Sequence, residues 1–568
     1  MNVKKRTMML GWILCLTLGS STLPVAVADQ AGEGLTSIEG KEKKAKPVAH
    51  PLAHPWDQPG SSSKKLHPGD PAAAGMNKAP LNEIDSFIQT AIEENVMPGA
   101  VVLIARRGVI VKEQAYGHAA KYADDKFTLL EQPIAMKPDT IFDVASVSKL
   151  FTTAAVMQLY DQGRFQLDDP VARYIPEFAE NEKEEVTIRQ LLTHTSGFEP
   201  SIRLEQIGSN REERLQAVYR HPLVNRPGTE YVYSDLNLIV LGSLVERLSE
   251  QRLDEYVEEH ITKPLGMSDT MYNPPEALRE RIAATEYQPW TNRDLVWGQV
   301  HDEKAWSLDG VAGHAGVFST AQDLAVFAQM MLNGGTYGGK TILSKKAVAL
   351  MMENQLPQFP GDDHGLGWEL NQGWYMDALG DAFTMGHTGY TGTSLVVSPN
   401  NDTICIVLTN RVHPTRKTVS TNPVRRGVAR LAALAIPVEQ PWKDASWFAG
   451  TGDQLQHTLS AQVDLREGGT VHFDTWYRIE NEADFGYVEA SSNGESWMPV
   501  GSALTGESDW HTYTWNLPAD TKYIRFRYST DSIVNGRGWF VHHPSIMDNT
   551  GNPMDVTWSP QGWSRDGK

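Results

Sequence analysis

Two stretches far apart in the chain read as β-hairpins, and together they restrict the fold more than anything between them. Residues 99–117, GAVVLIARRGVIVKEQAYG, are two strand-like runs joined by a tight turn at Arg106 to Gly108. Residues 392–410, GTSLVVSPNNDTICIVLTN, repeat the pattern with Pro399, Asn400 and Asn401 at the turn. Helical spacing precedes the first hairpin in LNEIDSFIQTAIEENV (81–96) and closes the stretch in NPVRRGVARLAALA (422–435). Hairpins at both ends with helices between predict an α+β domain over 79–437: an antiparallel sheet built from distant segments and flanked by helices.

Beyond this stretch the character changes. Nine of the 16 tryptophans lie after residue 440, and GTVHFDTWYRIE, FGYVEASSNGESWMPVG and KYIRFRYSTD alternate as strands, with a hairpin turn at Asn493-Gly494. Residues 438–568 are therefore expected to form an all-β sandwich, an accessory domain or a spacer. Its aromatics are read first as core, with glycan contact as the functional alternative.

The first 28 residues carry Lys4, Lys5 and Arg6, an apolar run, MMLGWILCLTL, and AVA ending at Ala28, the pattern of a cleaved export signal. The run is short for a membrane span, so a secreted or cell-wall-associated protein without a membrane span is expected. Residues 29–78, rich in Lys, Pro, Gly, Ser and His, read as a flexible linker, and their His-Pro repeats as tether rather than metal site. Signal removal takes three positive charges and moves the net charge from −19 to −22, which excludes nucleic acid as a partner. Only Cys405 survives that cleavage, so no intrachain disulfide can form.

The chemistry is expected where DVASVSKLFTTAAVMQLYDQG (143–163) turns from strand end to helix. Ser146 and Lys149, three residues apart, share a helix face. A desolvated lysine with a lowered pKa can take a serine proton, and a helix start offers N–H groups to an oxyanion. A serine at a helix start also serves as a cap, and S-x-x-K recurs at Ser61–Lys64 and Ser62–Lys65 in the linker, so this motif alone leaves both readings open.

Five further motifs follow in order: LLTHTSGF (191–198), YSDLNLIVLG (233–242), KPLGMSDT (263–270), GVAGHAGVFSTAQDLAVF (310–327) and GHTGYTGTS (386–394). As an ordered set they resemble the serine β-lactamase and penicillin-binding-protein superfamily, in the branch of class C β-lactamases, D-alanyl-D-alanine carboxypeptidases and related esterases. The resemblance implies a β-lactamase/transpeptidase-like fold and a mechanism of serine acylation followed by attack of water. It makes Ser146 the nucleophile, Lys149 its proton partner and Tyr233 a general base or proton relay. His387, Thr388 and Gly389 match a substrate-binding motif that usually reads Lys-Thr-Gly, and the backbone N–H groups of Ser146 and Tyr390 would hold the oxyanion. No cofactor or metal is implied.

Two positions depart from the pattern. Asp235 replaces the usual asparagine, and a carboxylate near Lys149 is expected to favour its charged form and shift base duty toward Tyr233. His387 replaces the usual lysine; its cationic form is expected to hold a substrate carboxylate and to weaken above about pH 6 to 7.

GQVHDEKAWSLDGVAGHAGVFST and LTNRVHPT narrow the resemblance to cell-wall hydrolases, penicillin-binding carboxypeptidases and exo-acting N-acetylmuramoyl-L-alanine amidases. His301, Asp302, Glu303 and His314 are metal-ligating types, but a serine mechanism needs no metal. They are read as ordering a loop or contacting substrate, with His301 and His314 placed near the substrate. The leading expectation is a hydrolase of amide bonds in muropeptides, derived from peptidoglycan. A carboxylesterase for small acyl esters is the second reading, and a non-catalytic penicillin-binding sensor the third.

Overall fold

The computed structural model describes residues 56–58 and 60–566. The expected export signal and the His-Pro repeats lie outside the described residues.

The two hairpins meet in one sheet, as expected. Strands β1 (Gly99–Arg106) and β2 (Val109–Tyr122) form the first hairpin through the two-residue loop Arg107-Gly108, both with positive φ. That mirror-image turn matches the twist of the flanking strands. Downstream come β3 (Glu369–Leu370), β4 (Met385–Thr388), β5 (Ser394–Ser398) and β6 (Thr403–Thr409). These six strands follow one another in the order β2-β1-β6-β5-β4-β3, each antiparallel to the next, and the two-residue strand His67–Pro68 adds a parallel pairing on the outer side of β2. The β1–β6 pairing, from Ala100 opposite Thr409 to Arg106 opposite Thr403, joins the distant segments.

Side-chain alternation divides the core into two. On β1, Val101, Leu103 and Ala105 face one apolar cluster and Ala100, Val102 and Ile104 face the other; β6 divides Ile404, Ile406 and Leu408 from Cys405 and Val407 in the same way. Helices α1 (Lys78–Glu93) and α5 (Asn422–Leu434) cover the second face. Helices α2 (Ser148–Asp161), α3 (Asp235–Ser249) and α4 (Ala321–Leu332) belong to the first. From Ser148 to Leu159 every residue of α2 is buried. A helix without a solvent face must lie in the middle of a domain, which places its N-terminal end deep as well.

The C-terminal residues form two five-stranded sheets, as expected. One contains β7 (Ser446–Phe448), β9 (Gly469–Arg478), β12 (Glu507–Leu517), β14 (Gly538–Asp548) and β16 (Ser564–Asp566). The other contains β8 (Gln456–Leu465), β10 (Phe485–Ser491), β11 (Met498–Leu504), β13 (Thr521–Ser529) and β15 (Ser559–Gln561). Val471, Phe473, Trp539 and Val541 from the first meet Leu459, Val488, Ile524 and Phe526 from the second. Trp447, Trp476, Trp539 and Trp563 are buried, the role expected of core aromatics.

One boundary needs correction. The expected linker ran to residue 78, but residues from Trp56 onward are packed structure. Trp56 is buried, and its carbonyl accepts the Glu439 N–H at 2.8 Å. Asp57 pairs with Arg106 at 2.6 Å and Arg107 at 3.1 Å. Arg106 is fully buried at the end of β1 and also donates to the carbonyls of Ala74 and Gly75. A buried guanidinium requires a carboxylate, and the chain supplies it from a segment whose composition reads as a tether. Asp57→Ala is expected to cost roughly 3 kcal/mol, because it leaves a buried charge without its counter-ion. Calorimetry should show a lower unfolding temperature; an unchanged one would mean that this segment does not stabilise the domain.

Candidate active site

The nucleophile turn is built by a buried carboxylate. After the two-residue strand Phe142–Asp143, the chain enters a 3-10 turn, Ala145–Val147, that runs straight into α2. Ala145 has φ +47°, a left-handed conformation that an alanine adopts only under constraint. The constraint is Asp143, whose carboxylate accepts the N–H of Ala145 at 2.9 Å and of His301 at 2.6 Å. Ser146 thus sits just before the helix rather than in its first turn, yet it meets Lys149: Nζ lies 2.9 Å from its Oγ.

Lys149 is buried, and its ammonium also contacts Asp235 Oδ1 at 2.9 Å and the His314 carbonyl at 3.3 Å. Asp235 opens α3, and Ser234 caps that helix by accepting the Leu236 N–H. Burial lowers the Lys149 pKa, with Asp235 pulling the other way. Tyr233 packs beside this pair, its ring 4.7 Å below Lys149 Nζ and 4.7 Å from the His194 ring. Burial first, then the Asp235 charge, pushes its hydroxyl well above the usual phenol range, against a hydrogen bond with Ser146.

As expected, Asp235 favours the charged form of Lys149, but its charge acts on Tyr233 as well. The same carboxylate makes a tyrosinate even less favourable, while desolvation dominates at Lys149. The Lys149 pKa is thus lowered and the Tyr233 pKa raised relative to their ordinary values.

His387 also differs from expectation. It is buried on β4, its Nδ1–H donates to the Thr388 carbonyl at 2.8 Å, and burial followed by the Lys149 charge lowers its pKa to about 3. It is a neutral imidazole near neutrality and cannot hold a carboxylate as a cation.

Thr388 ends β4, and Gly389 follows it against the nucleophile turn. A Cβ at Gly389 would meet the Val144 carbonyl at 2.4 Å, so only glycine permits this approach. The loop that follows is stitched to the same backbone, Thr391 Oγ1 donating to Asp143 O at 2.8 Å and Thr393 Oγ1 to Val144 O at 3.0 Å. Tyr390 lies within this loop with its side chain exposed.

His301 and His314 are both buried, and the His314 carbonyl lies beside Lys149 Nζ. His301 Nε2 lies 2.9 Å from Glu286, and its ring stacks on Tyr390. His314 Nε2 lies 2.9 Å from Asp302. Both rings are committed to carboxylates, which is the loop-ordering alternative. Asp235, Asp302 and His314 could converge on a metal ion, but Lys149 and Lys304 already neutralise the two carboxylates.

Sequence reasoning passed over four residues. Lys304, next to the histidine-acid run, bridges Asp302 at 3.0 Å and Asp235 at 3.4 Å, and these carboxylates raise its pKa despite burial. His194, inside a quoted motif but given no role, accepts the N–H of Ser234 and the amide of Asn237 at 3.1 Å each and fixes the entry to α3. Glu369 on β3 is pushed up to about 7 by burial. It and Asp143 stand out only once burial is known.

The profile of the Beta-lactamase family matches residues 84–430. A protein of Escherichia coli (strain K12) is 35% identical over 379 residues, covering 61% of this chain and 86% of its own. One from Salmonella agona (strain SL483) is 34% identical over 390 residues, covering 63% and 89%. Both bear the name "Putative D-alanyl-D-alanine carboxypeptidase". Among solved structures, EstCE1, a hydrolase with promiscuous acyltransferase activity, covers 62% of this chain and 98% of its own at 25% identity and a TM-score of 0.48. A penicillin-binding protein homolog from Caulobacter crescentus covers 61% and 97% at 18% identity and a TM-score of 0.46.

Asp235 raises the Lys149 pKa and Lys304 lowers it, so their removal should have opposite effects. The rate at which a fluorophosphonate modifies Ser146 should rise with pH as Lys149 deprotonates. Asp235→Asn is expected to move that midpoint to lower pH and Lys304→Gln to higher pH. Shifts in the same direction, or none, would remove Lys149 as the proton acceptor.

Proposed function

The chain belongs to the β-lactamase family and is a serine hydrolase of that fold, and from this premise we propose that it is exported and cleaves amide bonds of cell-wall muropeptides. The bond is either the terminal D-alanyl bond or that from N-acetylmuramic acid to L-alanine. The observation that carries this reading is the Ser146–Lys149–Asp235 constellation, with 2.9 Å at both contacts and Tyr233 alongside. The carboxypeptidase name of the relatives supports the substrate class. The basic and apolar pattern of residues 1–28 supports export to where peptidoglycan lies.

In this mechanism neutral Lys149 accepts the Ser146 proton as Oγ bonds to the carbonyl carbon. The backbone N–H groups of Ser146 and Tyr390 hold the oxyanion; the clamping of residues 389–393 onto Asp143 and Val144 supports that placement. The C–N bond then breaks and the leaving nitrogen takes a proton relayed through the Tyr233 hydroxyl. Water, deprotonated by the same groups, releases the acyl product. Glycan contact by the C-terminal sheets belongs to this proposal; half-exposed Tyr487 and Trp497, each under an arginine of β13, support it.

One observation favours the esterase reading. With His387 neutral, the third motif offers no cation for a terminal carboxylate. Mass spectrometry of N-acetylmuramoyl-pentapeptide after incubation separates the readings. Free peptide marks the amidase and loss of one alanine the carboxypeptidase, and Ser146→Ala should abolish either product. An intact muropeptide beside rapid ester hydrolysis would give the esterase precedence. Because His387 titrates far below neutrality, KM for the preferred substrate should show no histidine-like step between pH 6 and 7; such a step, lost in His387→Gln, would restore the cationic anchor.

A further inference from the structure

Strand β14 contains an irregularity that its neighbours do not require. Consecutive strand residues point to opposite faces, but at His542–His543 the register against β9 slips, between Asp474 opposite His542 and His472 opposite Ser545. His543 has φ +45° in this bulge. The outcome is that both imidazoles approach Asp444, in the segment leading into β7. His543 Nε2 lies 2.7 Å from Asp444 Oδ2 and His542 Nε2 lies 3.8 Å from Asp444 Oδ1. Bulges of this kind re-aim side chains at functional sites.

His542 is held as a metal ligand is held. Ser446 Oγ donates its one proton to Gln440 Oε1 at 2.7 Å, so its 3.1 Å contact with His542 Nδ1 has the ring as donor. That leaves the Nε2 lone pair facing Asp444. The ring is buried and stacked on Trp442 at 3.9 Å, with Trp510 edge-on to Trp442. Fixing one ring nitrogen so that the other can ligate is the orientation used around metal-bound histidines.

We infer that Asp444, His542 and His543 form a site for one borderline divalent transition cation, with zinc as the type. The three donor atoms lie within 4.8 Å of one another. Ligands at about 2.0–2.2 Å from zinc stand roughly 3.2–3.5 Å apart, so small rotations of the exposed Asp444 and His543 complete the set. Two imidazoles select against calcium and magnesium, and three protein ligands leave an open position for water. Asp444 belongs to the segment between α5 and β7, so the cation fastens that segment to the sandwich. The Asp235–Asp302–His314 group differs because its carboxylates are already paired with lysines.

The test uses the full chain stripped with a chelator and titrated with Zn²⁺ by calorimetry and with Co²⁺ by visible absorption. Wild type and Ser146→Ala should each bind one more equivalent than Asp444→Asn or His543→Ala, or bind that equivalent at least tenfold more tightly. Zn²⁺ should raise the unfolding temperature of wild type more than that of the double variant. Both substituted side chains are exposed, and near-UV circular dichroism of the variants checks that they fold. Equal stoichiometry and affinity in wild type and variants, or no uptake by wild type, would overturn the site; so would tighter binding of Ca²⁺ than of Zn²⁺ there.

Discussion

A lysine taken out of water beside a serine is the constraint on which the rest of this structure depends. An isolated buried ammonium is expensive, and a fully paired one is too weak a base to be useful. The chain holds Lys149 between these limits. Asp235 provides a counter-charge, but Lys304 shares that carboxylate and Asp302 engages Lys304 in turn. Four alternating charges in one buried chain leave Lys149 only partly compensated, and its pKa stays lowered. The short helix Glu303–Ser307, which carries Lys304 and is capped by Asp302, therefore governs the charge around Lys149 together with α2.

The second constraint is conformational. Ala145 keeps its left-handed conformation because Asp143 grips the turn from within, while Thr391 and Thr393 tie the loop after β4 to the carbonyls of Asp143 and Val144. The same contacts bring both sides of the cleft into register. His301 N–H on Asp143 joins this scaffold to the Glu286–Arg416 pair beneath Tyr390. Strain at the nucleophile and order at the rim thus share one buried carboxylate.

Much of this was legible from residues alone. The hairpins, the covering helices and the sandwich follow from periodicity and turn residues, because apolar patterning and the final sheet answer to the same burial. Ser146, Lys149, Tyr233 and Asp235 carry their chemistry in their identities and their order. What sequence could not provide is the balance of desolvation against pairing. His387 looks titratable until its burial and its bond to the Thr388 carbonyl are seen, and Asp235 looks like the dominant influence on Lys149 until burial is weighed against it. Asp57 was invisible because its partner Arg106 lies elsewhere in the chain, and composition cannot reveal a pair formed across such a distance.

The charges around the site also explain how an uncharged histidine can stand at position 387. A cation at position 387 would add a third positive charge to the region of Lys149 and Lys304. The Lys149 charge already lowers the His387 pKa, as does burial. With Lys304, on the short helix Glu303–Ser307, already supplying a second cation held by Asp302 and Asp235, a neutral imidazole avoids that repulsion. It keeps a polar ring on β4 near Tyr233. The second positive charge beside Asp235 then comes from the short helix Glu303–Ser307 rather than from β4. This leaves β4 uncharged, so on the proposed reading an anionic substrate has to be selected by groups outside that strand.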